Sequence, residues 1–359
     1  MKIAVLWTRL SGYLNACLRE LAGREGVELF VSHQAPNSEA PYDDGQFAWI
    51  RDRFTWRSNQ DTEALEPRVD AFDPDVIVLA GWHVPAYRQL SRARKGRSWR
   101  VMIMDNPWQG TWKQRAGVCI SPFHVRPVAD VAWLPGERQA VFARKLGFSQ
   151  REILRGSFSC DQPQFAARHL DRVAQGRPVQ RRFLFAGRFV EAKGIRILAE
   201  AYAIYRRYAQ HPWPLSCCGS GSLRHLLEGM PGVELEGFVQ PQDLAGKLAS
   251  AGCLILASVF EPWALAVHEA TSAGLLVLAS EIVGATVHLV QPNYNGFIFD
   301  DKDAEGLAQL MTRVSSMSDE RLDAMSRASY LLSQQYSPAL WANTLIDEFH
   351  ARGAPEART

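Results

Sequence analysis

The sequence predicts an α/β protein made of two doubly wound parallel-sheet domains. Short, nearly uninterrupted apolar segments alternate with segments of helical spacing along most of the 359 residues. Strands of this kind are typical of parallel sheets that helices cover on both faces. The alternation stops in the polar, arginine-rich segment 168–182 and then begins again. A chain of this length is long for one core and ordinary for two domains.

In the first half, the segment 2–7 (KIAVLW) predicts the first strand, and two arginines soon after it argue against a signal peptide. Leu14, Leu18 and Leu21 then recur with helical spacing, so they predict a helix with one buried face. Further short apolar runs predict strands over 27–32, 75–81, 100–105 and 130–135.

The second half repeats this alternation. A final helix is predicted over 337–353, with Leu340, Thr344 and Leu345 on one face, because Ser-Pro opens it. We expect one domain over 1–165 together with this last helix, and another over 166–336. Strands of the second domain are predicted at 183–187, 214–219, 233–238, 252–258 and 275–280, with a helix at 194–208.

Composition excludes several classes of protein. No apolar run approaches the roughly 18–20 residues that span a bilayer. The six cysteines contain no CxxC pair, which favours buried thiols in a reducing cytoplasm over a zinc site. The net charge of +2 is too small for a nucleic-acid-binding protein. We therefore expect a cytoplasmic protein with no nucleic-acid partner.

The segment 87–100 is a local exception to this mild charge, since it carries six cations and no acid. Two interpretations remain open. The segment is either a solvated helix and loop, or a surface that attracts an anionic acceptor or the anionic head groups of a membrane. The second interpretation predicts peripheral contact with the inner face of a membrane. The cations are Arg88, Arg92, Arg94, Lys95, Arg97 and Arg100.

The stretch EPWALAVHE, residues 261–269, places a glutamate at each end of an apolar insert. Pro262 suits the first turn of a helix, so Glu269 is expected about two turns into that helix. A helix start directs free N–H groups at an anion or hydroxyl, and a carboxylate deeper in the helix can accept a pair of ribose hydroxyls. Alternatively, Glu261 is only a helix-start acid that the helix dipole stabilises.

A second candidate site follows the strand at 183–187. Arg188 comes directly after Gly187, and Lys193 with Gly194 opens the next helix. Two cations beside glycines that allow close backbone approach can hold a diphosphate. The GSGS segment at 219–222 lacks the lysine of a phosphate-binding loop and is interpreted as a turn.

The chain resembles family 4 glycosyltransferases of the GT-B fold, because it carries several of their motifs in the same order. These are G-R-x4-K-G, then G-x-G, then E-x7-E followed by ATSAGLLVLAS and NGFIF. The resemblance is strong over about 183–300 and diffuse over the first 165 residues. It implies two Rossmann-like domains facing across a cleft, with the last helix crossing back to the first domain. It also implies a retaining transferase that uses a nucleotide-diphosphate sugar, such as a UDP- or GDP-sugar, without a bound metal.

The resemblance also implies roles for single residues. Arg188 and Lys193 would neutralise the departing diphosphate, Glu269 would hold the ribose, and Glu261 would contact the donor sugar. Other positions are assigned to the nucleotide-sugar site by the same resemblance: Gly12, Gly187, Phe238, and the backbone of Trp263, Ala264 and Leu265. Asp161 and Phe165 match the hinge pattern of the family.

The chain departs from the family pattern at several positions. Trp263-Ala264 stands where the family usually has Phe-Gly, which narrows the space beside the sugar. The family's Gly-Gly-x-x-Glu becomes Gly284-Ala285 followed by His288. Asp105 occupies the position of a common histidine; His83, at another strand end, is either its substitute or a surface or capping histidine.

Aromatic residues are concentrated in the first 165 residues, where eight of the eleven tryptophans lie. Trp82, Trp108 and Trp112 follow predicted strand ends, and flat aromatic faces suit the apolar faces of sugar rings. Core packing is the alternative for each of them. With His83 and Asp105, Trp82 and Trp108 form the predicted acceptor side.

The sequence therefore predicts a retaining glycosyltransferase that acts on a glycan or lipid-linked saccharide in the synthesis of cell-surface polysaccharide or glycoconjugate. Two alternatives stay open. One is a nucleotide-sugar-binding protein with little or no turnover, and the other is an epimerase or phosphorylase on the same fold. A dehydrogenase is disfavoured because no G-x-G-x-x-G follows the first strand.

Overall fold

The computed structural model describes residues 1–35, 44–58 and 61–352. The chain divides into two compact units. Unit 1 contains Met1–Cys160 and the chain from Tyr336 onward, and unit 2 contains Asp161–Gln335. Within the described residues, no helix is long and apolar enough to cross a membrane.

Within the described part of unit 1, seven strands form one parallel sheet in the order β3-β2-β1-β4-β5-β6-β7. The order reverses between β1 and β4, as in a doubly wound sheet. The strands are β1 Lys2–Leu6, β2 Glu28–Gln34, β3 Asp52–Trp56, β4 Val76–Ala80, β5 Trp99–Ile103, β6 Val131–Leu134 and β7 Ile153–Arg155. The helices are α1 Gly12–Ala22, α2 Leu65–Phe72, α3 Pro85–Ala93, α4 Trp112–His124, α5 Glu137–Lys145 and α13 Pro338–Ala351.

Unit 2 contains a second parallel sheet, of six strands among the described residues, in the order β10-β9-β8-β11-β12-β13. Here the order reverses between β8 and β11. The strands are β8 Phe183–Ala186, β9 Leu215–Cys218, β10 Val233–Gly237, β11 Cys253–Leu256, β12 Leu276–Ser280 and β13 Gly296–Phe299. The helices are α6 Gln162–Ala174, α7 Ile195–Tyr208, α8 Pro241–Ala249, α9 Leu265–Ser272, α10 Thr286–Leu289, α11 Ala304–Ser315 and α12 Asp319–Ser333.

The central strands form because their residues are apolar on both faces, and helices cover both faces of each sheet. β1, β4 and β6 are almost entirely buried, as expected for parallel strands. The apolar runs located these strands correctly. They did not predict the edge strands β3, β7 and β13. β3 has several polar or partly exposed positions, whereas β7 and β13 are only three and four residues long.

Helix α13 packs on unit 1, although its predicted buried face was partly wrong. Leu345 is buried as expected, but Leu340 is exposed and Thr344 is only half-buried. Trp341 is buried instead: its ring stacks on Trp133 at 4.9 Å between centroids, and its indole N–H donates to the Ser157 carbonyl at 2.9 Å. The predicted end of this helix at residue 353 lies outside the described residues.

Candidate active site

In each unit, predicted site residues lie in loops at the carboxyl ends of the two strands between which the strand order reverses. In unit 2 these are the loops 187–194 after β8 and 257–264 after β11. In unit 1, Trp82 and His83 lie in the loop 81–84 after β4, and Gly12 directly follows the loop 7–11 after β1. Doubly wound sheets bind their ligands at this position, so the topology gives each unit a candidate ligand site.

The two loops of unit 2 are held together through their backbones. Gly194 has φ +65°, and a Cβ there would collide with the carbonyl oxygen of Ala257. The backbone N–H groups of Val259 and Phe260 both donate to the Ala192 carbonyl, at 3.0 and 3.2 Å. Lys193 and Glu261 are therefore brought together although 68 positions separate them in the chain.

Lys193 and Glu261 form an ion pair between Nζ and Oε2. Their side chains are 23% and 11% exposed, so the pair is partly shielded from water and the attraction is stronger than at an open surface. Arg188 is exposed nearby along the same loop, and within the described residues no hydrogen bond or ion pair engages its guanidinium. Lys193 is thus held in an ion pair, whereas the Arg188 guanidinium is available to bind an anionic ligand.

Helix α9 begins later than the sequence predicts. Its first residue is Leu265, so Pro262 lies in the preceding loop and Glu269 lies about one turn into the helix rather than two. Ala264, directly before the helix, has φ +81° and ψ +86°. This conformation favours glycine, because Cβ crowds the following carbonyl of an L-residue. The alanine that replaces the family's usual glycine is therefore strained.

Glu269 is a partly buried carboxyl in the second half of α9. Within the described residues, its carboxylate makes no hydrogen bond and no ion pair. Burial raises the pKa of Glu269 to about 7, because removal from water disfavours the charged form. An unpaired carboxylate in this environment is able to accept hydroxyl groups of a ligand.

The GSGS segment has a structural role that its sequence did not indicate. A Cβ on Gly219 would collide with the carbonyl oxygen of Gly187, and the backbone N–H of Phe189 donates to the Ser220 carbonyl at 2.8 Å. The loop after β9 therefore supports the loop that carries Arg188. Phe238 is exposed directly after the end of β10.

Gly284 and Ala285 hold the loop that contains Glu261. The Gly284 N–H donates to the Glu261 carbonyl at 3.1 Å, and the Ala285 N–H donates to the Trp263 carbonyl at 2.8 Å. His288 lies beside Trp263, with 5.9 Å between ring centroids. Ala285 and His288, which differ from the family's Gly-Gly-x-x-Glu pattern, therefore lie next to Trp263-Ala264, which replaces the family's Phe-Gly.

Unit 1 contains a cavity of about 520 Å³ at its own strand ends. His83, Asp105 and Trp82 line it together with Arg9. Gly12 begins α1 between two further lining residues, Ser11 and Tyr13.

Trp108, the fourth predicted acceptor-side residue, is not a lining residue of this cavity. It packs on Phe142 at 5.7 Å, and the Lys145 ammonium lies 4.9 Å from its ring centroid. The structure therefore agrees with the alternative interpretation of Trp108, in which the ring packs against the protein rather than against a sugar.

The cationic segment 87–100 is not one solvated cluster. Arg94 is buried and pairs with Asp70 and Asp73, and Arg100 is buried and pairs with Asp130 at 2.6 Å. Arg94 thus joins the end of α3 to the end of α2, and Arg100 joins β5 to the residue that precedes β6. The exposed cations of the segment are Arg92, Lys95 and Arg97.

The predicted hinge residues lie at the boundary between the units. Asp161 is the first residue of unit 2 and caps helix α6 by accepting a hydrogen bond from the Gln164 N–H. Burial raises the pKa of Asp161 above its usual range, although this hydrogen bond opposes the shift. Phe165 is buried one turn later.

Comparisons with known proteins follow the same division of the chain. Residues 180–316 match the family model for glycosyl transferases group 1, and this range includes Arg188, Lys193, Glu261 and Glu269. An uncharacterized glycosyltransferase of Methanocaldococcus jannaschii is 29% identical over 171 residues, which are 46% of this chain and 42% of that protein. The alignment thus spans less than half the length of this curated relative.

Solved structures resemble the whole chain. Anabaena HepE in complex with UDP covers 98% of this chain and 100% of its own, with a TM-score of 0.74 and 16% identity. A glycosyltransferase from Rickettsia africae covers 98% of both chains, with a TM-score of 0.75 and 12% identity. The lipopolysaccharide outer core galactosyltransferase WaaB covers 98% of this chain and 100% of its own, with a TM-score of 0.70 and 15% identity. The chain has the GT-B fold. The predicted fold class is confirmed, and the family match supports a glycosyltransferase.

Proposed function

We propose that this protein is a retaining family 4 glycosyltransferase. It moves a sugar from a nucleotide-diphosphate sugar to a glycan or lipid-linked saccharide in the synthesis of cell-surface polysaccharide or glycoconjugate. The observation that carries the proposal is the grouping at the strand ends of unit 2. Arg188 is an available cation, Lys193 is a cation paired with Glu261, and Glu269 is an unpaired carboxylate.

These groups match the parts of a nucleotide sugar. Arg188 and Lys193 hold the diphosphate and stabilise its charge as the bond to the sugar breaks, which is typically a large contribution to catalysis. Glu269 accepts the ribose hydroxyls, and Glu261 contacts the donor sugar. The backbone of Trp263, Ala264 and Leu265, at the start of α9, borders the sugar and its phosphate. Phe238 and Gly187 complete the proposed donor site in unit 2.

The ion pair between Lys193 and Glu261 gives the reaction an order of events. Before the donor binds, Glu261 neutralises Lys193. A diphosphate carries more negative charge than one carboxylate, so it draws the ammonium away from Glu261. Glu261 is then free to accept hydroxyl groups of the donor sugar. No metal ion is required in this scheme, because the two cations supply the positive charge.

Unit 1 is proposed to bind the acceptor and unit 2 the donor. Trp82 offers an aromatic face to a sugar ring, while His83 and Asp105 supply polar contacts in the same cavity. Uridine nucleotides are the first donors to test, because Anabaena HepE was solved with UDP-glucose and an Escherichia coli relative with UDP-2-fluoro glucose. We place the enzyme in the cytoplasm, in peripheral contact with an anionic membrane.

A ligand screen followed by a transfer assay tests the function. A nucleotide sugar at 100 times its Kd adds about 2.7 kcal/mol to the free energy of unfolding, so thermal shifts identify the donor. NMR of the product then establishes whether the anomeric configuration is retained. Binding without transfer to any saccharide acceptor would favour a sugar-binding protein instead, and phosphorolysis or release of nucleotide without acceptor would favour a phosphorylase or epimerase.

The Glu261→Gln variant separates the sugar contact from the nucleotide contact. We expect kcat for transfer to fall by about tenfold or more, because the amide cannot stabilise positive charge on the sugar ring. Affinity for free UDP should stay equal or rise, since Lys193 no longer has a competing carboxylate. Isothermal titration with UDP and with the donor measures both effects. A loss of UDP affinity as large as the loss of turnover would contradict the assigned role.

The Ala264→Gly variant tests whether the methyl group limits the donor site. Glycine suits the positive φ of this position, so the fold should be retained. One methyl group in a binding pocket is worth about 1–3 kcal/mol in discrimination. We therefore expect the ratio of kcat/KM values for bulkier and smaller donor sugars to rise by about tenfold, with UDP affinity unchanged. An unchanged ratio would show that Ala264 does not border the sugar.

A further inference from the structure

Helix α4 of unit 1 carries an apolar face that is open to solvent. Trp112 is 74% exposed, Ile120 is 51% exposed and Phe123 is 82% exposed. Residues three or four positions apart share one face of a helix, and this spacing links Trp112, Ala116, Cys119, Ile120 and Phe123. All five side chains of this apolar face are exposed.

The orientation of α4 is set by contacts on its opposite side. Thr111 caps the helix by accepting a hydrogen bond from the Gln114 N–H. Ser121 is buried, and its hydroxyl donates to the Leu146 carbonyl at 2.6 Å. Val118 packs against the core of unit 1. Rotation of the helix to turn the apolar face inward would therefore break these contacts.

Cations surround the apolar face. Lys113 and Arg115 are exposed on α4, and the sequence Trp112–His124 contains no acid. Arg92 of α3 donates to the carbonyls of Phe123 and His124, at 2.8 and 3.3 Å. The end of α4 therefore lies beside the exposed cations of the segment 87–100.

We propose that the apolar face of α4 docks unit 1 on a bilayer that contains anionic phospholipid. Exposed aromatic residues flanked by Lys and Arg are the features that hold a helix in the interfacial plane of a membrane. An acidic protein groove would also suit the cations, but Trp112 and Phe123 project at opposite ends of a helix without acids, which matches a flat, negatively charged, apolar surface. The assignment rests on the membrane contact of the proposed function and locates that contact.

The cations strengthen membrane binding through long-range attraction to the anionic surface, and the apolar residues strengthen it when they insert into the bilayer. Each exposed cation near an anionic surface strengthens binding by about fivefold at low salt, and this part weakens as salt shortens the screening length. Insertion of Trp112 and Phe123 is less sensitive to salt, because it removes apolar area from water. Arg94 and Arg100 take no part, since both are buried in ion pairs.

Co-sedimentation of the full chain with vesicles tests the proposal. Wild-type protein is mixed with vesicles of phosphatidylcholine alone and of phosphatidylcholine with phosphatidylglycerol, at about 0.05 and 0.5 M salt. We expect binding to the anionic vesicles only, strongest at low salt. Trp112→Ser with Phe123→Ser should weaken it by about tenfold or more at both salt concentrations, while Lys113→Ser with Arg115→Ser should weaken it chiefly at low salt.

Matched controls make the result specific to α4. Tyr208→Ser and Leu331→Ser remove exposed apolar side chains from unit 2 and should leave vesicle binding unchanged. UDP titration of every variant shows whether unit 2 is intact, so a failure of the donor site is distinguished from a failure of docking.

Three outcomes would overturn the proposal. The first is no vesicle binding by the wild type. The second is wild-type binding by the Trp112→Ser, Phe123→Ser variant. The third is a dimer in sedimentation velocity that this double variant abolishes while vesicles remain unbound, which would assign the face to a second copy of the chain.

Discussion

Sugar transfer by Arg188→Ala and by Lys193→Ala is expected to be slower than wild type by a factor that corresponds to about 2–4 kcal/mol of transition-state stabilisation. Both cations are proposed to hold the diphosphate as negative charge develops on it. Arg188 is exposed and has no partner among the described residues, so its loss should leave the fold intact. Initial rates with saturating donor and acceptor measure the effect.

The two variants should differ in stability, which helps to separate their causes. Lys193→Ala leaves the Glu261 carboxylate without its cation in a partly buried place, and an orphaned charge destabilises a fold. The double variant Lys193→Ala, Glu261→Gln should recover that stability but not the activity. Arg196→Ala is the control, because Arg196 is a cation on the adjacent helix that pairs with Glu191 at the surface. Normal rates for both single variants would show that neither cation serves the leaving group.

Glu269→Gln is expected to weaken binding of free nucleotide and of donor alike, by about tenfold or more, because a carboxylate accepts the ribose hydroxyls more strongly than an amide. The effect should depend on pH. Burial raises the pKa of Glu269 to about 7 in the unliganded protein, so nucleoside binding by the wild type should weaken as pH falls below 7. The fall approaches tenfold per pH unit.

Uridine or a nucleotide sugar is the suitable ligand for that titration, because the terminal phosphate of UDP itself titrates near pH 6. The Glu269→Gln variant should show weak binding with no such pH dependence. Glu200→Gln, which alters an exposed glutamate of α7, is the control and should resemble the wild type. Equal pH dependence in the wild type and in Glu269→Gln would remove Glu269 from the ribose site.

The same substitution should stabilise the unliganded protein. The folded pKa of about 7 exceeds the ordinary value of 4.5, so the folded state binds more protons between these values. The unfolding free energy of the wild type therefore falls, as far as this group is concerned, as pH rises from 4.5 to 7. At pH 8 the wild type bears the full cost of a buried, ionised carboxylate. The free energy of unfolding of Glu269→Gln should therefore exceed that of the wild type by about 1–3 kcal/mol at pH 8, and by less at pH 5. Urea unfolding at both pH values measures it.

A gain in stability together with a loss of binding would indicate that Glu269 is retained for its ligand. A merely structural carboxyl has hydrogen bonds or a cation, and its replacement destabilises the fold. If Glu269→Gln is less stable than the wild type at pH 8, the carboxyl has a structural partner and the proposed role is wrong. The two measurements together separate the alternatives.

The sequence by itself determined the two α/β halves and most of their strands. Residues such as Ile77 and Leu278 lie in apolar runs that are buried on both faces, and this pattern is local in the chain. It also placed Arg188 and Glu261 after strands, and parallel strands end at one edge of a sheet. The edge strand β3 was missed because its residues are more polar, and β7 and β13 were missed because they are only three and four residues long.

Only the tertiary structure decided which charges have partners. Lys193 pairs with Glu261 because Gly194 fits against Ala257, and Arg94 is buried because Asp70 and Asp73 lie beside it. The sequence grouped Arg94 with the other cations of the segment 87–100, since it carries no record of partners from other segments.

The tryptophans and the glutamates also show that tertiary contacts, rather than the local sequence, decide the environment of a side chain. Trp108 packs on Phe142 and Trp112 projects from α4, although only four positions separate them. Glu269 has a raised pKa because the fold buries it without a partner. Local patterns determine which elements form, because they depend on neighbours in the chain. Burial and pairing of a polar side chain depend on segments that meet only in the folded protein, and those contacts decide its chemistry.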